Sequence, residues 1–134
     1  MNLELQELGA ARVVHTPELR ERAERNAWSE YRLQYLVRCG GVEVAFLSFD
    51  LTPGQDYLVL YELFLAGDHR RRGIGTTLLK RAEDIARARG LKRLLVCPVP
   101  LAADTDSKWL KRWYEHHGFT LTADGELLEK IVGL

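Results

Sequence analysis

The sequence predicts a mixed α/β sheet with antiparallel N-terminal strands, a parallel junction between its fourth and fifth strands, and flanking helices. Three patterns carry that prediction. Residues 31–65 read as three consecutive strands divided by the turns Cys39-Gly40-Gly41 and Thr52-Pro53-Gly54-Gln55. Residues 57–97 read strand, helix, strand, and a crossover of that kind joins parallel neighbours. Residues 119–132 read as a last hairpin around Asp124-Gly125.

Each element has its own signal. Residues 3–8 alternate weakly, as an edge strand ending near Gly9 would. Thr16 then stands as a cap residue before Pro17 at the first helical position, and Leu19, Ala23 and Ala27 keep helical spacing up to Trp28. From Tyr31 to Arg38, Leu33, Tyr35 and Val37 alternate with Arg32, Gln34 and Arg38, and residues 42–51 continue as the partner strand. Residues 57–65 are apolar on both faces, as a central strand covered on two sides is. Leu78, Leu79, Ala82, Ile85 and Ala86 recur at helical intervals, with Lys80, Arg81, Glu83, Asp84 and Arg87 on a solvated face that Arg89 extends, and Gly90 stops this helix. Residues 91–97 form the fifth strand, beyond which Pro98 and Pro100 forbid simple continuation. Residues 107–117 are another amphipathic helix, closed by Gly118.

A chain of 134 residues fits a single domain over positions 1–134, and 46% hydrophobic with 28% charged residues is the composition of an ordinary globular protein. Lys+Arg and Asp+Glu both number 19, so no global basic field attracts a nucleic acid or an anionic membrane, and any anion site must be local. The apolar run 57–66 carries Glu62 and falls short of the roughly 20 residues of a spanning helix. The start, Met1-Asn2-Leu3-Glu4, lacks the basic and apolar regions of a leader. A soluble, cytoplasmic protein is expected, with no nucleic acid and no membrane partner. Cys39 and Cys97 read as reduced, structural thiols. His116 and His117 are adjacent and point about 100° apart on a helix, so no metal site is predicted.

The chemistry concentrates in Arg70-Arg71-Arg72-Gly73-Ile74-Gly75-Thr76, a glycine-rich basic turn between a strand and a helix. Gly73 and Gly75 let backbone N–H groups approach an anion, and a helix start adds roughly half a positive charge. A dinucleotide fingerprint needs a third glycine where Leu78 stands, and no G-x-x-x-x-G-K-[ST] loop exists, so both of those phosphate motifs fail. A solvated basic turn is the plain alternative, and the flanking strand and amphipathic helix favour the anion site over it.

Arg70-Arg71-Arg72-Gly73-Ile74-Gly75 resembles the [QR]-x-x-G-x-[GA] signature of the GNAT superfamily of N-acetyltransferases. The approach Glu62-Leu63-Phe64-Leu65 is similar to that family, as is Trp113-Tyr114-Glu115-His116-His117-Gly118-Phe119, which matches its aromatic-Tyr-x-x-x-Gly-Phe segment. The resemblance is specific over residues 58–119, and the order of elements extends it to the whole chain.

The resemblance implies acetyl-coenzyme A (acetyl-CoA) as co-substrate, lying where the fourth and fifth strands splay. Its pyrophosphate would rest on the turn formed by Arg70, Arg71, Arg72, Gly73, Ile74, Gly75 and Thr76. Its pantetheine arm would pair with the backbone of Leu63, Phe64 and Leu65. An acceptor amine would attack the thioester directly, with Tyr114 protonating the departing thiolate. The alternative for Tyr114 is a core aromatic, one helical turn from Leu110, and the shared Gly-Phe ending favours the acid role over it. Glu62 is implied as a base, while an ion pair with Arg32 or Arg38 is an equal alternative. The family often has Asn where Ser107 stands, so the cofactor contact passes to Ser107 as a departure from the pattern. Residues 98–106 make a loop longer than usual that could wall the acceptor site, and Asp106 or Ser107 would cap the following helix.

The function these features imply is an acetyl-CoA-dependent N-acetyltransferase acting on an amine of a small molecule, peptide or protein. The alternative is an acyl-CoA-binding regulatory module without turnover. Self-association into a homodimer is left open. The spacing of Trp109 and Trp113 predicts a buried pair, which disfavours a nucleic-acid module built on the tryptophans and the three arginines.

Overall fold

The structure is a computed structural model that describes residues 2–9, 13–26, 28–69, 73–98 and 106–133. The strands among them are β1 (Leu3–Glu7), β2 (Arg32–Cys39), β3 (Val42–Leu51), β4 (Tyr57–Leu65), β5 (Arg93–Val96), β6 (Thr120–Leu121) and β7 (Leu128–Ile131). The helices are α1 (Pro17–Arg25), α2 (Ile74–Ala88) and α3 (Ser107–His116). All seven strands join one sheet in the order β1-β2-β3-β4-β5-β7-β6. The pair β4–β5 is parallel and every other neighbouring pair is antiparallel. The expected mixed sheet, with its parallel junction and flanking helices, is the fold observed. The last hairpin differs in one respect: β7 pairs with β6 on one edge and with β5 on the other, so the final strand is wedged into the sheet.

The two faces of the sheet are covered unequally. One face packs Leu33, Val37, Leu47, Phe49, Leu58, Leu60 and Leu94 against Leu78, Leu79, Ala82 and Ala86 of α2 and Tyr114 of α3 in the larger core. The other packs Leu36, Phe46 and Phe64 against Leu19 and Ala23 of α1 in a smaller one. Helix α1 begins at Pro17, but Thr16 makes no side-chain cap. Instead the Glu43 carboxylate accepts from the N–H groups of Thr16 at 2.7 Å and His15 at 3.0 Å. Burial pushes the Glu43 carboxyl up, and those N–H donors outweigh it, holding the group below its ordinary range. The helix stops at Arg25 rather than near Trp28, because Asn26 turns back and donates Nδ2 to Arg22 O at 2.8 Å; Ala27 lies outside the described residues. The solvated face expected for α2 is partly tied down: Arg81 donates to Leu3 O, Arg87 to Val132 O, and Glu83 is buried beside Lys130.

A candidate active site at the parallel junction

Strand β4 changes partners along its length. It pairs with β5 only from Tyr57 to Leu60, while its pairing with β3 runs on to Leu65. Beyond Leu60 and Val96 the two strands part. Ala66 N–H donates to Val44 O at 2.9 Å, and the register continues through Phe46–Phe64 and Ser48–Glu62. Antiparallel pairs alternate between bonded and unbonded, so the backbone N–H and C=O of Leu63 point away from β3 and into the gap.

A bulge re-aims the side chains there. Ser48 pairs with Glu62 but Phe49 pairs with Leu60, which leaves Tyr61 as the extra residue. Leu58 and Leu60 therefore face α2, whereas Glu62 and Phe64 face α1. On that α1 side the cross-strand rows change in polarity: Leu36, Phe46 and Phe64 are apolar, Gln34, Ser48 and Glu62 are buried and polar, and Arg32 pairs with Asp50. Glu62 is only 6% exposed. Its Oε1 accepts from Asn26 Nδ2 at 3.0 Å and lies 3.8 Å from Arg22 Nη1. The ion pair considered with Arg32 or Arg38 is not the one formed, since those arginines pair with Asp50 and Glu43. The partner comes from α1, a helix that the strand pattern could not place.

The opposite rim of the gap is the start of α2. Gly73 is the N-terminal cap at φ 77°, and no side chain caps the helix. Thr77 N–H reaches Gly73 O, so the N–H groups of Ile74, Gly75 and Thr76 precede the first internal bond, and no acidic residue stands in that turn. A Cβ on Gly73 would meet nothing within 4 Å, which marks open space beside these donors. Three aligned N–H groups at a helix start suit a phosphate or another anion. Arg70, Arg71 and Arg72 lie outside the described residues, as does most of the loop at 98–106.

Helix α3 forms the other wall. Asp106 caps it by accepting from Lys108 N–H at 2.9 Å, which leaves Ser107 exposed as the first helical residue. Trp113 reaches across to α2, its ring 3.5 Å from where a Cβ on Gly75 would stand. Trp109 stacks on Trp113 at 6.4 Å but is 51% exposed, which corrects the expected burial of that pair. Tyr114 packs edge-on against Trp113 and Phe119 and is 5% exposed. Its hydroxyl bonds to no described residue, yet it is not among the fully sealed, unpartnered atoms. Burial, then the nearby Cys97 thiol at the end of β5, pushes the phenol well above its ordinary range, so it keeps its proton. Tyr114 is thus a core aromatic packed between Trp113 and Phe119 near the end of β5.

Sequence reasoning missed Arg22, Asn26, Gln34 and Ser48. Only the strand register and the turn of chain after α1 bring them to Glu62. Cys39 and Cys97 are both free. Among the described residues no helix is long and apolar enough to cross a membrane, and no group of three metal-ligating side chains forms.

A sheet that opens at its parallel junction, between a glycine-led helix start and a tyrosine-bearing helix, is built for acyl transfer, and the class it defines is the N-acetyltransferases. The chain belongs to the acetyltransferase (GNAT) family, whose sequence profile matches residues 4–119. No curated protein matches it significantly in sequence. Its fold is similar to that of a GNAT family acetyltransferase from Elizabethkingia anophelis with acetyl-CoA bound, at 15% identity and a TM-score of 0.68 over 97% of this chain and 98% of that one. It is similar also to the ribosomal-protein-S18-alanine N-acetyltransferase of Escherichia coli, at 19% identity and 0.64 over 99% and 96% of the two chains. The PaiA N-acetyltransferase of Thermoplasma acidophilum, in complex with coenzyme A, gives 17% identity and 0.62 over 98% and 99%.

Proposed function

We propose that the protein is a single-domain, cytoplasmic enzyme that moves the acetyl group of acetyl-CoA to an amine of a small molecule, peptide or protein by direct attack. The observation that carries this is the parting of β4 from β5 directly beside the uncapped start of α2. The residues present fit the donor. The N–H groups of Ile74, Gly75 and Thr76 would hold its pyrophosphate, with Arg70, Arg71, Arg72, Gly73 and Ser107 as further contacts. The strand backbone at Leu63, Phe64 and Leu65 would align its pantetheine arm, and acetyl-CoA supplies an activated thioester when bound. Leu63 N–H points into the gap, where it can stabilise the negative charge that develops on the carbonyl oxygen. Glu62 would take a proton from the acceptor's ammonium group and so free the amine to attack, and Tyr114 would supply one to the departing sulfur. Tyr114 holds its proton more tightly than a thiol does, so that transfer is uphill and its contribution modest.

The test pairs thermal melting with thiol release. Acetyl-CoA should raise the melting temperature, because a ligand held only by the folded state stabilises it. Gly73→Val should lose that shift, since a side chain would enter the space beside the donors and strain the left-handed backbone by about 1–2 kcal/mol. Free thiol should appear only with an accepted amine, sought across small amines, peptides and protein N-termini. A melting shift with no thiol from any amine would favour the binding module instead.

A further inference from the structure

Three side-chain atoms among the described residues are buried without a hydrogen-bond partner: Gln34 Oε1, Ser48 Oγ and Glu62 Oε2. They are neighbours. The register sets Gln34 opposite Ser48 and Ser48 opposite Glu62, and all three stand on the α1 side of the sheet. The remaining atoms of the row are committed, because Gln34 Nε2 donates to Asn26 O at 3.1 Å and Asn26 Nδ2 donates to Glu62 Oε1 at 3.0 Å. What remains unbonded is a cluster of three oxygens, with Gln34, Ser48 and Glu62 exposed by 1%, 0% and 6%.

Leaving a buried polar atom unpaired costs about 1–3 kcal/mol, so three together would offset much of a stability of about 5–15 kcal/mol. Ordered water is the usual partner of such groups, commonly through about three hydrogen bonds. The chemistry matches one molecule. Gln34 Oε1 and a carboxylate oxygen can only accept, whereas the Ser48 hydroxyl can donate. Water donates twice and accepts. Opposed Cβ atoms on adjacent strands lie about 4.5–5.5 Å apart, so the two longer side chains can lean inward over the serine between them.

We propose that Gln34, Ser48 and Glu62 form a water-binding site beneath α1. Through that water, Gln34 and Ser48 are positioning residues that hold the Glu62 carboxylate in place. The catalytic consequence rests on Glu62 as the base; the site itself does not. The charged and titratable groups around it are Arg22 from α1, the Arg32–Asp50 pair on β2 and β3, and Tyr61 on β4. Gln34, Ser48 and Asn26 do not titrate, so the water adds a donor to Glu62 without adding a charge. A donor to the charged form lowers the pH at which the carboxylate protonates, and removing it raises that pH.

The experiment follows the Glu62 carboxyl carbon by NMR across an acid titration, its resonance assigned with Glu62→Gln, alongside a high-resolution crystal structure of the wild-type protein. A water within hydrogen-bond reach of all three oxygens is expected. In Ser48→Ala the Glu62 midpoint should rise by about one pH unit, a tenfold change in proton affinity. Ser48→Thr, which restores the hydroxyl, should return it toward wild type. A direct Ser48–Glu62 hydrogen bond in the crystal, or no water among the three oxygens, overturns the proposal. So does an unchanged midpoint in a Ser48→Ala protein with wild-type circular dichroism. Should Ser48→Ala not fold, the wild-type crystal structure decides alone. None of these measurements uses turnover, so a Glu62→Gln enzyme of normal rate would remove the base and leave the water site to be judged separately.

Discussion

Across β2, β3 and β4 the sheet has one apolar face and one that grades from apolar through buried polar to charged, and the two differ in kind. On the α2 side, residues such as Phe49, Leu58, Leu78 and Leu94 are fully buried hydrocarbon, and burial of that kind supplies stability without direction. On the α1 side, the hydrophobic cluster is smaller and ends against Gln34, Ser48 and Glu62, whose hydrogen bonds do have direction. The division separates apolar burial from the directed hydrogen bonds around Glu62 on opposite sides of the same three strands. A substitution on one face should therefore move melting, and one on the other should move chemistry.

The largest effect should come from the apolar face. Phe49→Ala removes a fully buried ring that meets Tyr35 edge-on at 6.0 Å, and should cost about 3–5 kcal/mol in urea unfolding. Residual folded protein should keep its acid limb in the pH–rate profile. On the polar face, Glu62→Gln should lower turnover about a hundredfold or more and abolish that acid limb, while acetyl-CoA still raises the melting temperature. If Glu62→Gln instead unfolds the protein, the Arg22 contact is structural and the division between faces is weaker than proposed.

Tyr114→Phe tests the one aromatic that belongs to both roles. It should leave melting within about 0.5 kcal/mol, because the hydroxyl removed bonds to no described residue, and lower turnover only about tenfold to a hundredfold. Unchanged turnover would return Tyr114 wholly to the core.

The smallest effect concerns Glu43, which anchors the start of α1. A carboxyl held below its ordinary range stabilises the fold at neutral pH, and that contribution disappears as pH falls through its folded value. Glu43→Gln should melt lower than wild type at neutral pH, with the gap closing below about pH 4. A gap that persists into acid would mean the carboxylate matters by shape rather than charge.

The order of elements was legible because strand alternation, helical spacing and glycine stops are local signals. Strands β3 and β4 and the start of α2 stand where the pattern puts them. The glycine-led start of α2 was legible for the same reason, as glycines at a strand-to-helix turn can be recognised without knowing the rest of the fold. The direction of Glu62 was not. Without the bulge at Tyr61, its even-numbered place in the strand would send it to the α2 side with Leu58 and Leu60. The bulge arises from register against β3, which no window of β4 contains. Asn26, Gln34 and Ser48 read as a helix end and two strand positions until the sheet is assembled around them. The exposure of Trp109 was hidden likewise, since i, i+4 spacing shows which residues share a helix face and not how far the partner surface extends.

The wedge of β7 between β5 and β6 has a consequence for synthesis. β5 is four residues long, and its second edge is covered only by Leu128–Ile131. On a ribosome, β1 through β4 can pair as they emerge, but Leu94, Leu95 and Val96 would wait with one row of backbone groups uncovered until more than thirty further residues have appeared. The wall of the gap is therefore among the last parts of the molecule to become permanent. A nascent chain stalled or cleaved before Leu128 would carry an adhesive strand in place of an acyl-transfer site.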